Sequence, residues 1–211
     1  MSWSRVRDTE LELEAYISMN ENENSGCEYH NNSHILAMYQ YLEDTDEPYN
    51  EALDWAVLFH DIVYDAEPKK EWRSTLQFHI MSEKYRGCNL NLYTMSKVDG
   101  LIMSTVNHTE VNLDRLDRTY SAIIRADLHA LTSKADTINN FVKIMNESVA
   151  LYKCSLETFA ENNIEFMTGL YERMEDNKRL DSKYADFYSS VQDGISTTIR
   201  MAQAIKDVKT S

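Results

Sequence analysis

Five glycines and two prolines in 211 residues leave this chain almost without punctuation. A β-sandwich or barrel turns roughly every eight to twelve residues, and the residues that set the backbone angles of those turns are missing here. Apolar residues recur instead at i, i+3, i+4 and i+7, the spacing that gathers side chains on one face of a helix. Ile35, Leu36, Met38, Tyr39 and Leu42 draw one such stripe, followed by a polar connection from Glu43 to Tyr49 that contains Pro48. The expected fold class is therefore all-α.

Leu53, Ala56, Val57, Phe59 and Ile62 lie in a segment that is apolar nearly all round, which predicts a central, buried helix. Pro68 is placed to open the next helix, running to about Arg86 and stopped by Gly87. Met95 to Asn107 has helical spacing. Leu113, Leu116, Tyr120, Ile123, Ile124, Leu128 and Leu131 predict a single helix from Leu113 to Leu131. From Asp136 onward, Phe141, Ile144 and Val149, then Phe159, Phe166 and Leu170, then Val191, Ile195, Ile199 and Met201 predict two or three further amphipathic helices. Their apolar faces are expected to pack on the outer face of the Leu113–Leu131 helix. The polar stretch Asn20 to Ser25 is expected to be a loop.

A hydrophobic share of 43% with 27% charged residues is the balance of a folded globule rather than of a disordered chain. No run of apolar residues is long enough to span a bilayer, and Met1 to Glu14 is charged throughout, so the expected location is the cytoplasm with no membrane partner. Cys27, Cys88 and Cys154 are too widely spaced for a zinc knuckle and are expected to be free thiols. A net charge of −14 opposes general nucleic-acid binding. It does not oppose a small anionic substrate, because a metal and a few basic side chains can invert the field locally.

All six histidines, His30, His34, His60, His79, His108 and His129, precede residue 130. His60 and Asp61 are adjacent at the end of the most apolar helix, where an unpaired carboxylate would cost several kcal/mol. A metal ion would compensate both groups, and imidazole nitrogen with carboxylate oxygen suits divalent Mn, Fe, Co, Ni or Zn, with Mg also open. Asp127 likewise interrupts an apolar stripe and needs a partner.

His34, then His60-Asp61, then Asp127, each on a predicted helix, resembles the signature of the HD superfamily of metal-dependent phosphohydrolases. Tyr29-His30-Asn31, His34-Ile35, the block Phe59-His60-Asp61-Ile62-Val63-Tyr64-Asp65, Glu71 with Ser74, Thr105 with His108, and Ala126-Asp127-Leu128 are similar to one bacterial subgroup, the predicted metal-dependent HD phosphohydrolases. The resemblance covers about residues 29 to 131. It implies a single HD-type helical domain over 1–211, with a catalytic core at about 29–131 and additional C-terminal helices at about 136–207 covering that core. The implied metal ligands are His34, His60, Asp61 and Asp127. The implied reaction is hydrolysis of a phosphate ester or anhydride of a small nucleotide, with water activated by a divalent ion.

Asp65 and Glu71 follow the pair by four and ten residues and are the candidates to handle the proton of the attacking water, Asp65 by lying one helical turn from Asp61. His30, one turn before His34, together with His108, Lys69, Lys70 and Arg73, is expected to meet the substrate or support the ligands. His79 and His108 are the residues a second metal would use. Three alternatives accompany the nucleotide reading. One is an alarmone pyrophosphohydrolase, in which Tyr64 would replace a glutamate. The others are a di-iron oxygenase and a non-catalytic nucleotide-binding module. Oligomeric state is open, with a homo-oligomer admitted.

Overall fold

A computed structural model describes residues 9–24, 26–85, 90–106, 108 and 118–208. The described residues are helical and contain no strand. In chain order the helices are α1 (Thr9–Asn24), α2 (Asn32–Asp44), α3 (Glu51–Phe59), α4 (Lys70–Lys84), α5 (Leu92–Ser104), α6 (Thr119–Leu128), α7 (Lys134–Tyr152), α8 (Leu156–Leu180) and α9 (Ala185–Val208). Single 3₁₀ turns follow α6 at His129–Thr132 and α8 at Ser182–Tyr184. No described helix is long and apolar enough to cross a membrane.

Side-chain caps start several of these helices. Asn31, Asn50, Asn91, Ser133 and Ser155 each accept a backbone N–H from the first turn of α2, α3, α5, α7 and α8 respectively, an interaction worth about 1 kcal/mol apiece. Asn31 does more than cap. Its amide donates to the carbonyls of Cys27 at 2.9 Å and Glu28 at 3.0 Å, so one buried side chain ties the preceding turn to the start of α2.

The chain divides into two compact units. The first takes the described residues up to Val106 and from Arg118 to Asp127, and the second takes His108 and Leu128 onward. In the first unit α3 is the core element, with Ala52 through Phe59 all buried. Phe78 of α4 packs its ring 5.2 Å from Phe59 and 6.3 Å from Trp55, centroid to centroid. Burial of each such aromatic ring stabilises the fold by about 1.5–3 kcal/mol. Helix α5 lies against α3 and α4. The buried Arg125 of α6 donates to Ser121 Oγ at 2.6 Å and pairs with Glu47 Oε2 at 3.4 Å, which fastens α6 to the α2–α3 connection two residues before Asp127.

Several expected boundaries differ. The segment Asn20 to Asn24 is helical, closing α1, because Met19 is buried and Asn20 and Asn22 are bonded to Asn32 and to the Ile62 carbonyl. Ser25 lies outside the described residues. Helix α3 ends at Phe59, so His60 is its C-cap and Ile62 lies beyond it. The Val63 N–H, which a continuing helix would send to the Phe59 carbonyl, donates instead to Ser74 Oγ of α4 at 3.2 Å. The expected Leu113–Leu131 helix is described from Thr119 and stops at Leu128. Leu113 and Leu116 fall outside the described residues, as do Arg86, Gly87, Cys88 and Asn107.

In the second unit α8 and α9 run back along each other, with α7 against both. Phe141, Phe159, Ala160 and Ala202 form the buried centre, flanked by Ile144, Met145, Val149, Ile164, Met201 and Ile205. The apolar stripes of α7, α8 and α9 thus cover one another. Buried Gln192 links the hairpin by donating to the Tyr171 carbonyl at 3.2 Å and to Glu175 Oε1 at 2.8 Å. Gly194 allows α9 to touch the turn after α6, since a Cβ there would overlap the Leu131 carbonyl oxygen.

Candidate metal centre

His34 sits one turn into α2, His60 caps α3, and Asp127 lies near the end of α6. These three elements of the first unit bring their side chains to one point. One ligand atom from each of His34, His60 and Asp127 lies within 4.8 Å of the other two. His34 Nε2 is 3.1 Å from Asp127 Oδ1, and His60 Nε2 is 3.9 Å from the same oxygen. Asp61 borders the cluster, with Oδ2 3.0 Å from His60 Nε2 and 3.9 Å from His34 Nε2. The group of three that converges does not include Asp61.

The donor set fits a divalent ion, and His60 makes the test. Its Nδ1 lies 2.9 Å from the Val57 carbonyl oxygen, which can only accept, so Nδ1 carries a hydrogen. Its Nε2 is buried and has no hydrogen-bond partner of good geometry, with Asp61 Oδ2 3.0 Å away. A fully buried imidazole nitrogen left in this way, with a carboxylate and a second histidine around it, has the tautomer and surroundings of a metal ligand.

Electrostatics in the cluster follow from the crowding. Burial pushes the His60 imidazole down, but Asp61 and then Asp127 outweigh it and hold its pKa up at about 9. Burial would raise the Asp61 carboxyl, yet His60 and then His30 hold it well below the usual carboxylate range. For His34 burial prevails over the Asp127 hydrogen bond and lowers its pKa.

The remaining expected site residues divide. His30 precedes the Asn31 cap, so the helix has not begun there; it comes near the site through a ring stack on Tyr64, centroids 3.7 Å apart and nearly parallel at 14°. Lys70 Nζ lies 3.5 Å from the centre of the same Tyr64 ring. Two groups that close to one centroid must occupy opposite faces, so Tyr64 is held between them. Asp65 is not one helical turn from Asp61, since α3 has already ended. It binds both terminal nitrogens of Arg73 and accepts the Glu67 N–H, and the Arg73 hydrogen bonds hold its carboxyl below the usual range. Arg73 is correspondingly engaged with Asp65.

Glu71 lies in the first turn of α4, half-buried, and has no hydrogen bond or ion pair among the described residues. It shares a helix face with Ser74, which holds the Val63 N–H just after the His60-Asp61 pair. Lys69 is exposed at the α4 N-cap with φ 61°. His79 pairs with both oxygens of Asp99 at 2.9 Å, at a half-exposed position joining α4 to α5, and is outside the converging group. His108 belongs to the second unit, where its carbonyl accepts from Asn177 at 3.0 Å and its ring meets Phe166.

Sequence reasoning missed the roles of Tyr64, Val57 and Tyr29, whose ring lies 4.7 Å from that of His34. Nothing local signals them, because their partners are set by how the connections fold. Fold and site together define an all-helical protein with a candidate metal centre made of two histidines and an aspartate. Comparison of the chain with models of known families, with curated proteins and with solved structures gave no match.

Proposed function

We propose that the protein is a metal-dependent phosphohydrolase acting on a phosphate ester or anhydride of a small nucleotide. The observation that carries this reading is the convergence of His34, His60 and Asp127 around a buried, unbonded His60 Nε2. These are three of the four residues that the HD pattern names, and they come from segments far apart in sequence. A divalent ion held there would polarise a phosphoryl oxygen and lower the pKa of water.

The chain's own residues supply the rest. Val57 fixes the tautomer and direction of His60. Tyr64 holds the Lys70 ammonium on one face and the His30 imidazole on the other, close to the ligands, where both are suited to phosphate oxygens. Because both of its faces are taken, Tyr64 positions these groups and does not stack on a base. Glu71 is the better proton acceptor of the two candidate carboxylates, since Asp65 is committed to Arg73.

The test is a screen of nucleoside mono-, di- and triphosphates and generic phosphodiesters against Mn, Mg, Co and Ni after chelation, with product identification. Release of phosphate, pyrophosphate or triphosphate that requires added metal and disappears in His60→Ala supports the reading. Nucleotide binding without turnover under any divalent ion overturns it in favour of a binding module.

A further inference from the structure

Helix α4 carries two apolar stripes. Phe78 and Met81 face inward with Ser74 and Thr75 and are buried in the first unit. Trp72, Leu76 and Ile80 lie on the opposite side and are 55%, 45% and 52% exposed. An outward face of an amphipathic helix is normally polar, and three large side chains at i, i+4 and i+8 form a continuous ridge instead. At 3.6 residues per turn, Lys69, Trp72, Leu76, Ile80 and Glu83 all fall within an arc of roughly 80°.

The charges that end this ridge have an unusual sense. Lys69 stands at the N-terminal end of α4 and Glu83 in its last turn, each at the end where the helix dipole disfavours its sign. Both are exposed, and neither has an ion pair among the described residues. The other charges of the helix are differently placed: Lys70 lies over Tyr64, Arg73 is bound to Asp65, Glu71 is half-buried in the first turn, and Lys84 lies over the Tyr85 ring.

We infer that α4 pairs with α4 of a second copy of this chain in antiparallel register, with a two-fold axis at Leu76. The ridge is self-complementary about that residue. Leu76 then faces Leu76 of the partner subunit, Trp72 faces Ile80 of the partner subunit, and Lys69 faces Glu83 of the partner subunit. Each misplaced charge thereby gains its opposite, and three exposed apolar side chains from each copy leave water. One helix face is smaller than the roughly 800 Å² per partner of a standard interface, so the dimer should be reversible, with a Kd on the order of micromolar. This inference does not depend on the proposed hydrolase activity.

Sedimentation velocity of the full chain over a concentration series tests it. The wild type is expected to shift from monomer to dimer, and Leu76→Asp to remain monomeric with unchanged helical circular dichroism. Glu83→Lys should weaken the dimer about tenfold, roughly the cost of one lost and inverted ion pair, and the double swap Lys69→Glu/Glu83→Lys should restore it. Mild oxidation of Leu76→Cys should give a peptide linked from residue 76 to residue 76, a pairing that only this register brings within disulfide reach. A wild type that stays monomeric overturns the inference. So does a dimer that survives Leu76→Asp, or a charge swap that fails to restore it. A monomeric wild type in which Leu76→Asp lowers the melting temperature would mean that the ridge is covered within the chain, which also overturns it.

Discussion

The Nδ1 of His60 donates to the carbonyl of Val57 at 2.9 Å, which turns the opposite ring nitrogen toward Asp61 and Asp127. A backbone carbonyl of α3, itself fixed by a fully buried helix, therefore decides which nitrogen of the imidazole can bind an ion. The chemistry of the site is anchored in the core rather than in a mobile loop.

Removing a candidate ligand tests this directly. Asp127→Ala and Asp61→Ala are each expected to lower divalent-ion affinity about 100-fold or more, at least what losing a supporting partner costs, with His60→Ala no milder. Isothermal titration and metal content after dialysis measure it. Full occupancy in Asp61→Ala would show that Asp61 only supports His60.

The pH dependence follows from His60. In the metal-free protein its pKa is about 9 against 6.5 for an unperturbed histidine. Its contribution to stability is present in full below pH 6.5 and is lost as pH rises through 9. His34 acts in the opposite sense: its lowered pKa costs stability when pH falls below its ordinary value. The melting temperature without metal should accordingly drop between neutral pH and 9. Metal must displace the His60 proton, so apparent affinity should rise about tenfold per pH unit and level off near 9. A flat affinity profile across that window would show that no proton is displaced.

The two candidate carboxylates should separate. Glu71→Gln is expected to keep the metal and lower turnover by about 10²-fold, the scale of general base work. Asp65→Asn should act mainly by releasing Arg73, with a smaller loss of turnover and a measurable loss of thermal stability. Equal losses in turnover for both would return Asp65 to the chemistry.

Gly194→Ala should destabilise the second unit by roughly 1–3 kcal/mol, since the new methyl meets a backbone carbonyl that cannot swing away. Urea denaturation followed by circular dichroism reads it. A neutral result would mean that α9 shifts freely against the Leu131 turn.

The second unit closes its own core around Phe141 and Phe159, so a fragment of residues 128–211 is expected to be helical and to melt cooperatively. A disordered fragment would show that α7 to α9 need the first unit to fold.

The sequence by itself determined what acts over a few residues. The apolar period of α2, α7, α8 and α9 made them helices. Asn31, Ser133 and Ser155 cap α2, α7 and α8 because a cap bonds within two or three positions. Chemistry pointed to His60, Asp61 and Asp127, because imidazole and carboxylate in apolar surroundings demand compensation, and the resemblance to the HD pattern added His34. Tertiary structure decided what depends on segments far apart. Ser74 of α4 takes the Val63 N–H just beyond the end of α3. Arg73 claims Asp65, and Tyr64 gathers His30 and Lys70. The C-terminal helices satisfy one another. Periodicity is blind to all of these, because a hydrogen bond or ring stack between residues tens of positions apart leaves no spacing in the chain, only a partner that appears once the helices have packed.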